Sequence, residues 1–111
     1  MRPDRLRLAD IFDAGTAIEG HRERGGLDDE MVYDAVRVRL IEIGEAVKDI
    51  DPDLLASEPA IPWVDVAGMR DRLAHRYSDT DHSIVTATVE GDMPQLVAAV
   101  RRVLDHPDLP G

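Results

Sequence analysis

Apolar positions recur at three- and four-residue steps along most of the chain, the period of one helix face. From about Asp4 to Arg24, Leu8, Ile11, Phe12, Ala14, Ile18 and His21 share such a face. Gly25-Gly26 stops this helix after a last turn holding His21, Arg22 and Arg24, cations suited to the negative end of the helix dipole. A second helix opens at Asp28-Asp29-Glu30 and runs to about Asp49, with its acids at the positive end. Val32, Val36, Leu40, Ile43, Val47 and Ile50 form a heptad-like seam along it. Met31, Ala35, Val38, Ile41 and Ala46 widen that face. The width predicts burial on two sides, as a central core helix or an oligomer contact. Gly44 costs this helix roughly 1 kcal/mol relative to Ala, so its presence predicts close approach by another backbone.

Asp51-Pro52 begins a short helical turn through Leu55, and Glu58 to Pro62 is a loop. Pro62 suits the first position of a third helix, where its missing N–H is harmless. That helix carries Trp63, Val66, Met69 and Leu73 on one face and reaches about Tyr77; the spacing of Trp63 makes it a packing residue. Ser78 to Asp81 ends it and caps the next. His82 to Glu90 is rich in β-branched residues and favours a strand by propensity; with no partner strand elsewhere, it is read as a short helix. Gly91-Asp92 breaks it, and Met93 to Leu104 is the final helix. The tail, from about 105 to 111, is expected to be flexible. The sequence thus predicts one all-α domain over residues 1–111, an antiparallel bundle of four main helices plus one or two short ones.

Composition narrows the chemistry. A length of 111 residues suits one core. The absence of Cys excludes disulfides and Cys-ligated zinc or iron–sulfur sites, and fits a reducing compartment. No apolar run approaches the ~20 residues that span a bilayer, and no signal core follows the basic N-terminus. The expectation is a cytoplasmic protein away from membranes. A net charge of −10 disfavours nucleic-acid binding by broad electrostatic attraction.

One stretch departs from that acidity. Met69 to Tyr77 holds Arg70, Arg72 and Arg76 with His75, an island suited to phosphate because each guanidinium offers a permanent charge and a fork of donors. On a helix Asp71 and His75, four apart, share a face, so the carboxylate can fix the imidazole tautomer and raise its basicity. Arg70 and Tyr77 also share a face. Arg70 and His75 are five apart, about 140° around the axis. Either the Arg side chain wraps round, the helix ends near Ala74, or the site is assembled from two protomers. A blander reading pairs His75 with Asp71 as a structural histidine, and makes Arg70, Arg72 and Arg76 a solvated face paired with Asp71, Asp79 and Asp81. Glu42 and Glu45 lack the Glu-x-x-His repeat of a helical metal site, so no metal or cofactor is expected. Glu45 is expected to pair with Lys48 or with an Arg across the bundle. His21, His82 and His106 receive no function.

Arg70-x4-His75-x-Tyr77 resembles the Arg-x4-His-x-Tyr motif of HEPN domain ribonucleases. Ile41-Glu42-Ile43-Gly44-Glu45-Ala46, Ile61-Pro62-Trp63, Gly68-Met69-Arg70-Asp71 and Asp92-Met93-Pro94-Gln95-Leu96 are similar to the HepT toxin group, so the likeness runs from about Leu6 to Leu104. It implies helical bundles that form homodimers, with two motifs meeting at the dimer cleft in a metal-independent endoribonuclease site. It also implies a bacterial toxin whose antitoxin is an MNT-type nucleotidyltransferase able to attach AMP to the motif tyrosine. By the resemblance, Arg70 and His75 are catalytic, Asp71 (commonly Asn in the family) is the supporting polar residue after the Arg, and Tyr77 is the modified residue; Arg72 and Arg76, from the basic island, are expected to support them. RNA supplies its own 2′-OH nucleophile, an imidazole near neutral pH can move its proton, and an arginine can stabilise the phosphorane charge. Two other readings stand beside it: a non-catalytic helical module that regulates a nucleotidyltransferase, and a binder of nucleotides or other phosphates.

Overall fold

The computed structural model describes residues 3–73 and 79–106. Among them every regular element is helical. The centre of the fold is α2 (Glu30–Lys48). Asp29 starts it from extended backbone, its carboxylate accepting the N–H groups of Met31 at 2.9 Å and Val32 at 3.2 Å, which satisfies donors that the first turn leaves open. The seam from Val32 to Ile50 is buried throughout. The second apolar set behaves differently: Met31 is 83% exposed and Val38 50%, while Ala35, Ile41 and Ala46 are half-buried. Only one side of the widened face is therefore covered within the chain.

Helix α1 (Asp4–Arg24) returns antiparallel to α2 and buries Leu8, Ile11, Ala14 and Ile18. Arg7 locks the far end, donating to Asp4 at 3.1 Å and to the carbonyl of Asp49 at 3.0 Å. Asp51 caps the one-turn α3 (Pro52–Leu55), accepting from the N–H of Asp53 at 3.0 Å. The loop that follows is tied down twice. Trp63 Nε1 donates to the Glu58 carbonyl at 3.0 Å, and Arg102 Nε donates to both Glu58 carboxylate oxygens at 3.0 and 3.1 Å.

Within the described residues the third main helix, expected from Pro62 to Tyr77, is two short ones, α4 (Trp63–Ala67) and α5 (Met69–Arg72), interrupted at Gly68; its expected end, 74–77, lies outside them. The cause is visible at α2. A Cβ on Gly44 would lie 2.9 Å from the Val66 carbonyl oxygen and 3.2 Å from Met69 Cβ. The α4 backbone thus runs into the space that Gly44 leaves, and the close approach predicted from Gly44 is present. Gly68, the poorest helix former after proline, takes up the interruption.

A second difference lies further on. Helix α6 (Asp79–Ala87) starts three residues before His82 and does not stop at Gly91. It passes through a π-helical turn, Thr88–Asp92, directly into α7 (Met93–Leu104). The wide turn has a local reason. Pro94 has no N–H, and its ring crowds the carbonyl four residues back; a π turn relaxes that spacing. Val85, Val89, Met93, Leu96, Val100 and Val103 are buried along this continuous element. Asp105 and His106 close its end through N–H bonds to Arg101 and Val103 carbonyls; the rest of the expected tail lies outside the described residues. The bundle is all-α as predicted, but its long members among the described residues are α1, α2 and the joined α6–α7. No helix among the described residues is long and apolar enough to cross a membrane.

Candidate active site

The motif stretch begins on α5. Met69 (6% exposed) and Leu73 (0%) anchor it in the core, and the residues between them are left to face solvent. Arg70, Asp71 and Arg72 are all exposed. The two arginines diverge. Arg70 Nε lies 3.1 Å from Glu45 Oε1 of α2, the cross-bundle pairing that was one expectation for Glu45. Arg72 turns the other way, donating to the Asp65 carbonyl with the Asp65 carboxylate 3.9 Å off. Among the described side chains Arg72 thus pairs with Asp65 rather than Asp71, because the short α4–α5 step brings Asp65 back under it; the side chains of Asp79 and Asp81 lie outside that description.

Both arginines are open to water, with side-chain exposures of 63% and 42%. Ion pairs at such positions contribute roughly 0–1 kcal/mol. Arg70 can therefore exchange Glu45 for a phosphate at little cost, since a bidentate phosphate contact is the stronger geometry. His75, Arg76 and Tyr77 lie outside the described residues. The regular helix, however, ends at Arg72, with the Leu73 N–H bonded to Met69 at 2.9 Å. Of the three ways for Arg70 and His75 to converge, an end to the helix before Ala74 is thereby available.

Beneath Arg72 a cleft of about 310 Å³ opens between α2, the 60–62 loop, α4, α5 and the start of α7. Leu40, Ile61, Val66, Met69, Met93 and Leu96 form its apolar walls, and Asp65, Arg72, Asp92 and Gln95 its polar rim. Among the described residues no three Asp, Glu or His side chains converge on a position that would hold a metal ion.

Sequence reasoning missed the contacts of three further side chains, Arg37, Tyr33 and His82. Arg37 of α2 donates through Nη2 to the Leu73 carbonyl. His82, read as functionless, stacks on Tyr33 with ring centroids 4.9 Å apart and planes 7° from parallel. Its Nε2 lies 3.3 Å from the Leu27 carbonyl. The available signal was the four-residue step from Tyr33 to Arg37, an aromatic and a cation beside the α2 seam.

Comparison with known proteins bears on the same stretch. The family model described as Ribonuclease HepT-like matches residues 8–103. A "Putative RNase" of Caldanaerobacter subterraneus subsp. tengcongensis is 37% identical over 68 residues, 60% of this chain and 61% of that protein. A "Probable ribonuclease HepT" of Thermococcus cleftensis is 43% identical over 60 residues, 53% of this chain and 54% of that one. A "Putative RNase" of Methanocaldococcus jannaschii is 31% identical over 77 residues, 69% and 71% of the two chains. The chain spans about three fifths of the Caldanaerobacter protein and about half of the Thermococcus one. No solved structure matches it. With a family match over almost the whole chain, this protein belongs to the HepT-like ribonuclease family.

Proposed function

We propose that the protein is a metal-independent endoribonuclease, the toxin of a bacterial toxin–antitoxin pair. It works as a cytoplasmic homodimer and is neutralised by an MNT-type nucleotidyltransferase that attaches AMP to Tyr77. The observation that carries this reading is the family match over residues 8–103, which takes in the whole of Arg70-x4-His75-x-Tyr77. The exposed Arg70, held among the described residues by a surface pair to Glu45, supports it as the phosphate-binding cation. Val38 (50% exposed) and the half-buried Ile41 lie at three- and four-residue steps from Glu45 on α2, and offer a second copy an apolar surface beside Arg70.

The chemistry uses protons and charge alone. A neutral His75 takes the 2′-OH proton as that oxygen attacks phosphorus. Arg70 stabilises the charge gathering on the non-bridging oxygens. The bond to the 5′-oxygen breaks, and that oxygen takes a proton from a protonated imidazole, the second His75 across the dimer. The products are a 2′,3′-cyclic phosphate and a 5′-hydroxyl. Asp71 orients His75, while Arg72 and Arg76 extend the positive surface along the RNA. AMP on Tyr77 places a phosphate and a base at the same cleft, opposing RNA by charge and by bulk.

The test uses protein made without its partner, its Tyr77 shown unmodified by mass spectrometry, and RNA in excess chelator. The wild type cuts; Arg70→Ala and His75→Ala, each folded by circular dichroism, do not. Silence of the unmodified wild type, or undiminished cutting by His75→Ala, overturns the assignment. The Arg70–Glu45 pair favours one second reading, in which this face is a non-catalytic module regulating the nucleotidyltransferase. Silence of the unmodified wild type is the outcome that selects it.

A further inference from the structure

We propose that the cleft between α2, α4, α5 and α7 is a base pocket, which takes an unpaired guanine of the RNA substrate. The inference rests on the ribonuclease reading above and adds to it the base that the enzyme selects.

The cleft lies beside the motif helix. Arg70 and Arg72 turn to different sides of α5, a single helical turn about 5.4 Å long. A strand whose phosphate meets Arg70 therefore passes the mouth of the cleft, where Arg72 stands. The volume, about 310 Å³, is at the small end for organic ligands. It holds one planar base and excludes a helix, which is about 10–12 Å across. The floor suits an aromatic ring. Leu40, Met69, Met93 and Leu96 are buried there, and the two methionines bring polarizable thioethers that pack well on ring systems.

The rim sets which base enters. Asp92 ends the π turn and is exposed, and among the described residues its carboxylate has no hydrogen bond or ion pair. Gln95 gives its amide nitrogen to the Gly91 carbonyl at 2.6 Å and the Asp92 carbonyl at 3.2 Å. Both of its N–H groups are thus used, and its oxygen is left to accept. The α7 side of the rim therefore accepts, while Arg72 on the α5 side donates. Asp65 adds a second carboxylate beside Arg72. Two carboxylates repel a phosphate, so the strand enters base first.

Of the four bases only guanine presents two adjacent donors, N1–H and the 2-amino group, which one carboxylate can accept together. Its other edge carries O6 and N7, the acceptors that an arginine fork meets. In adenine and cytosine the amino group sits beside a ring-nitrogen acceptor, and in uracil the N3–H lies between two carbonyls. A carboxylate facing any of those Watson–Crick edges, the ones through which unpaired RNA bases are read, meets a lone pair.

The experiment uses full-length, Tyr77-unmodified protein in two arms. The first cleaves a randomised single-stranded RNA in excess chelator and maps the ends by sequencing; guanosine is expected to be enriched at one fixed position relative to the cut. At that position guanosine should exceed adenosine in kcat/KM by about 10- to 100-fold. Inosine, which lacks only the 2-amino group, should fall about tenfold below guanosine. Asp92→Asn, and Ala60→Trp at an exposed position of the lining, should bring the guanosine-to-adenosine ratio to within about threefold of unity, a ratio that a merely structural loss of activity would not move. The second arm titrates GMP, AMP, CMP and UMP by NMR. GMP should shift the Met93 and Leu96 amides with a Kd about tenfold below the other three. Enrichment of no base or of another base, enrichment of guanosine that persists in both variants, or GMP binding without guanosine enrichment overturns the pocket. A wild type that leaves all RNA intact overturns the ribonuclease reading itself, and the GMP titration still determines whether the cleft selects guanine.

Discussion

Gly44→Ala tests the contact that sets the direction of the motif helix. In an exposed helix the change would stabilise, since Ala exceeds Gly in helix propensity by about 1 kcal/mol. Here the new Cβ would sit 2.9 Å from the Val66 carbonyl oxygen and 3.2 Å from Met69 Cβ. Neither neighbour is the loose end of a long side chain: one is backbone, the other the root of a buried residue. Relief requires α4 and the start of α5 to move away from α2, and overpacking of this kind typically costs 1–3 kcal/mol. Setting about 2 kcal/mol of strain against about 1 kcal/mol of propensity leaves a net loss of about 1 kcal/mol. That corresponds to a fall in Tm of roughly 4–8 °C for a domain near this size. Gly20→Ala is the matched control. It lies in α1 with nothing within 4 Å of the added methyl, and should gain up to about 1 kcal/mol. Urea unfolding monitored by circular dichroism measures both. A Gly44→Ala protein as stable as Gly20→Ala would refute the close approach of α4 to α2. Because Arg70 rides on α5, the same substitution should also lower RNA cleavage in excess of its effect on the folded fraction.

The remaining predictions concern single pairs. Glu45→Gln removes the carboxylate competing for Arg70; since the pair is largely exposed, stability should change by less than about 1 kcal/mol, while KM for RNA falls, as read by cleavage kinetics over a range of RNA concentrations. A raised KM would mean that Glu45 holds Arg70 ready rather than occupied. The Arg102 guanidinium, hydrogen-bonded to Glu58, holds that carboxyl below its ordinary value of 4.5. A carboxyl depressed in the folded state adds stability that is present above its unfolded value and lost as pH falls through the folded one. Glu58→Gln should therefore flatten the decline of Tm below about pH 4.5, by a small amount because Arg102 is 59% exposed; an unaltered acid limb would show that the tether adds nothing.

Much of the fold was legible because its long helices obey one rule. The seam of α2 and the buried positions of α1 and α7 follow apolar spacing, and Asp28-Asp29-Glu30 announce α2 by placing acids at the positive end of its dipole. Gly44 was also readable, since a glycine inside a good helix asks for a neighbour. The two misjudged boundaries share a cause. At Gly68 the helix is interrupted by packing against α2, and at Gly91 it continues because a π turn makes room for Pro94. At Gly68 tertiary packing turned a glycine into a break, and at Gly91 a local backbone accommodation overrode the break that glycine ordinarily marks. At the site, Arg70 was legible as a motif residue and its partner Glu45 as a cross-bundle pair. Arg72 was not, because its partner Asp65 becomes a neighbour only through the α4–α5 step. The contacts of Arg37 with the Leu73 carbonyl and of His82 with the Leu27 carbonyl join residues 36 and 55 apart in sequence, and the four-residue step from Tyr33 to Arg37 is a local hint of them but not of their partners.

The central claim is that RNA is cut by its own 2′-hydroxyl at the Arg70–His75 site. It is tested most directly with a substrate whose cleavage position has been mapped, resynthesised with a single 2′-deoxynucleotide 5′ to the scissile phosphate. In excess chelator, the unmodified protein should leave that bond intact while cutting the all-ribose RNA to a 2′,3′-cyclic phosphate. Cutting of the deoxy substrate at an undiminished rate would contradict the account.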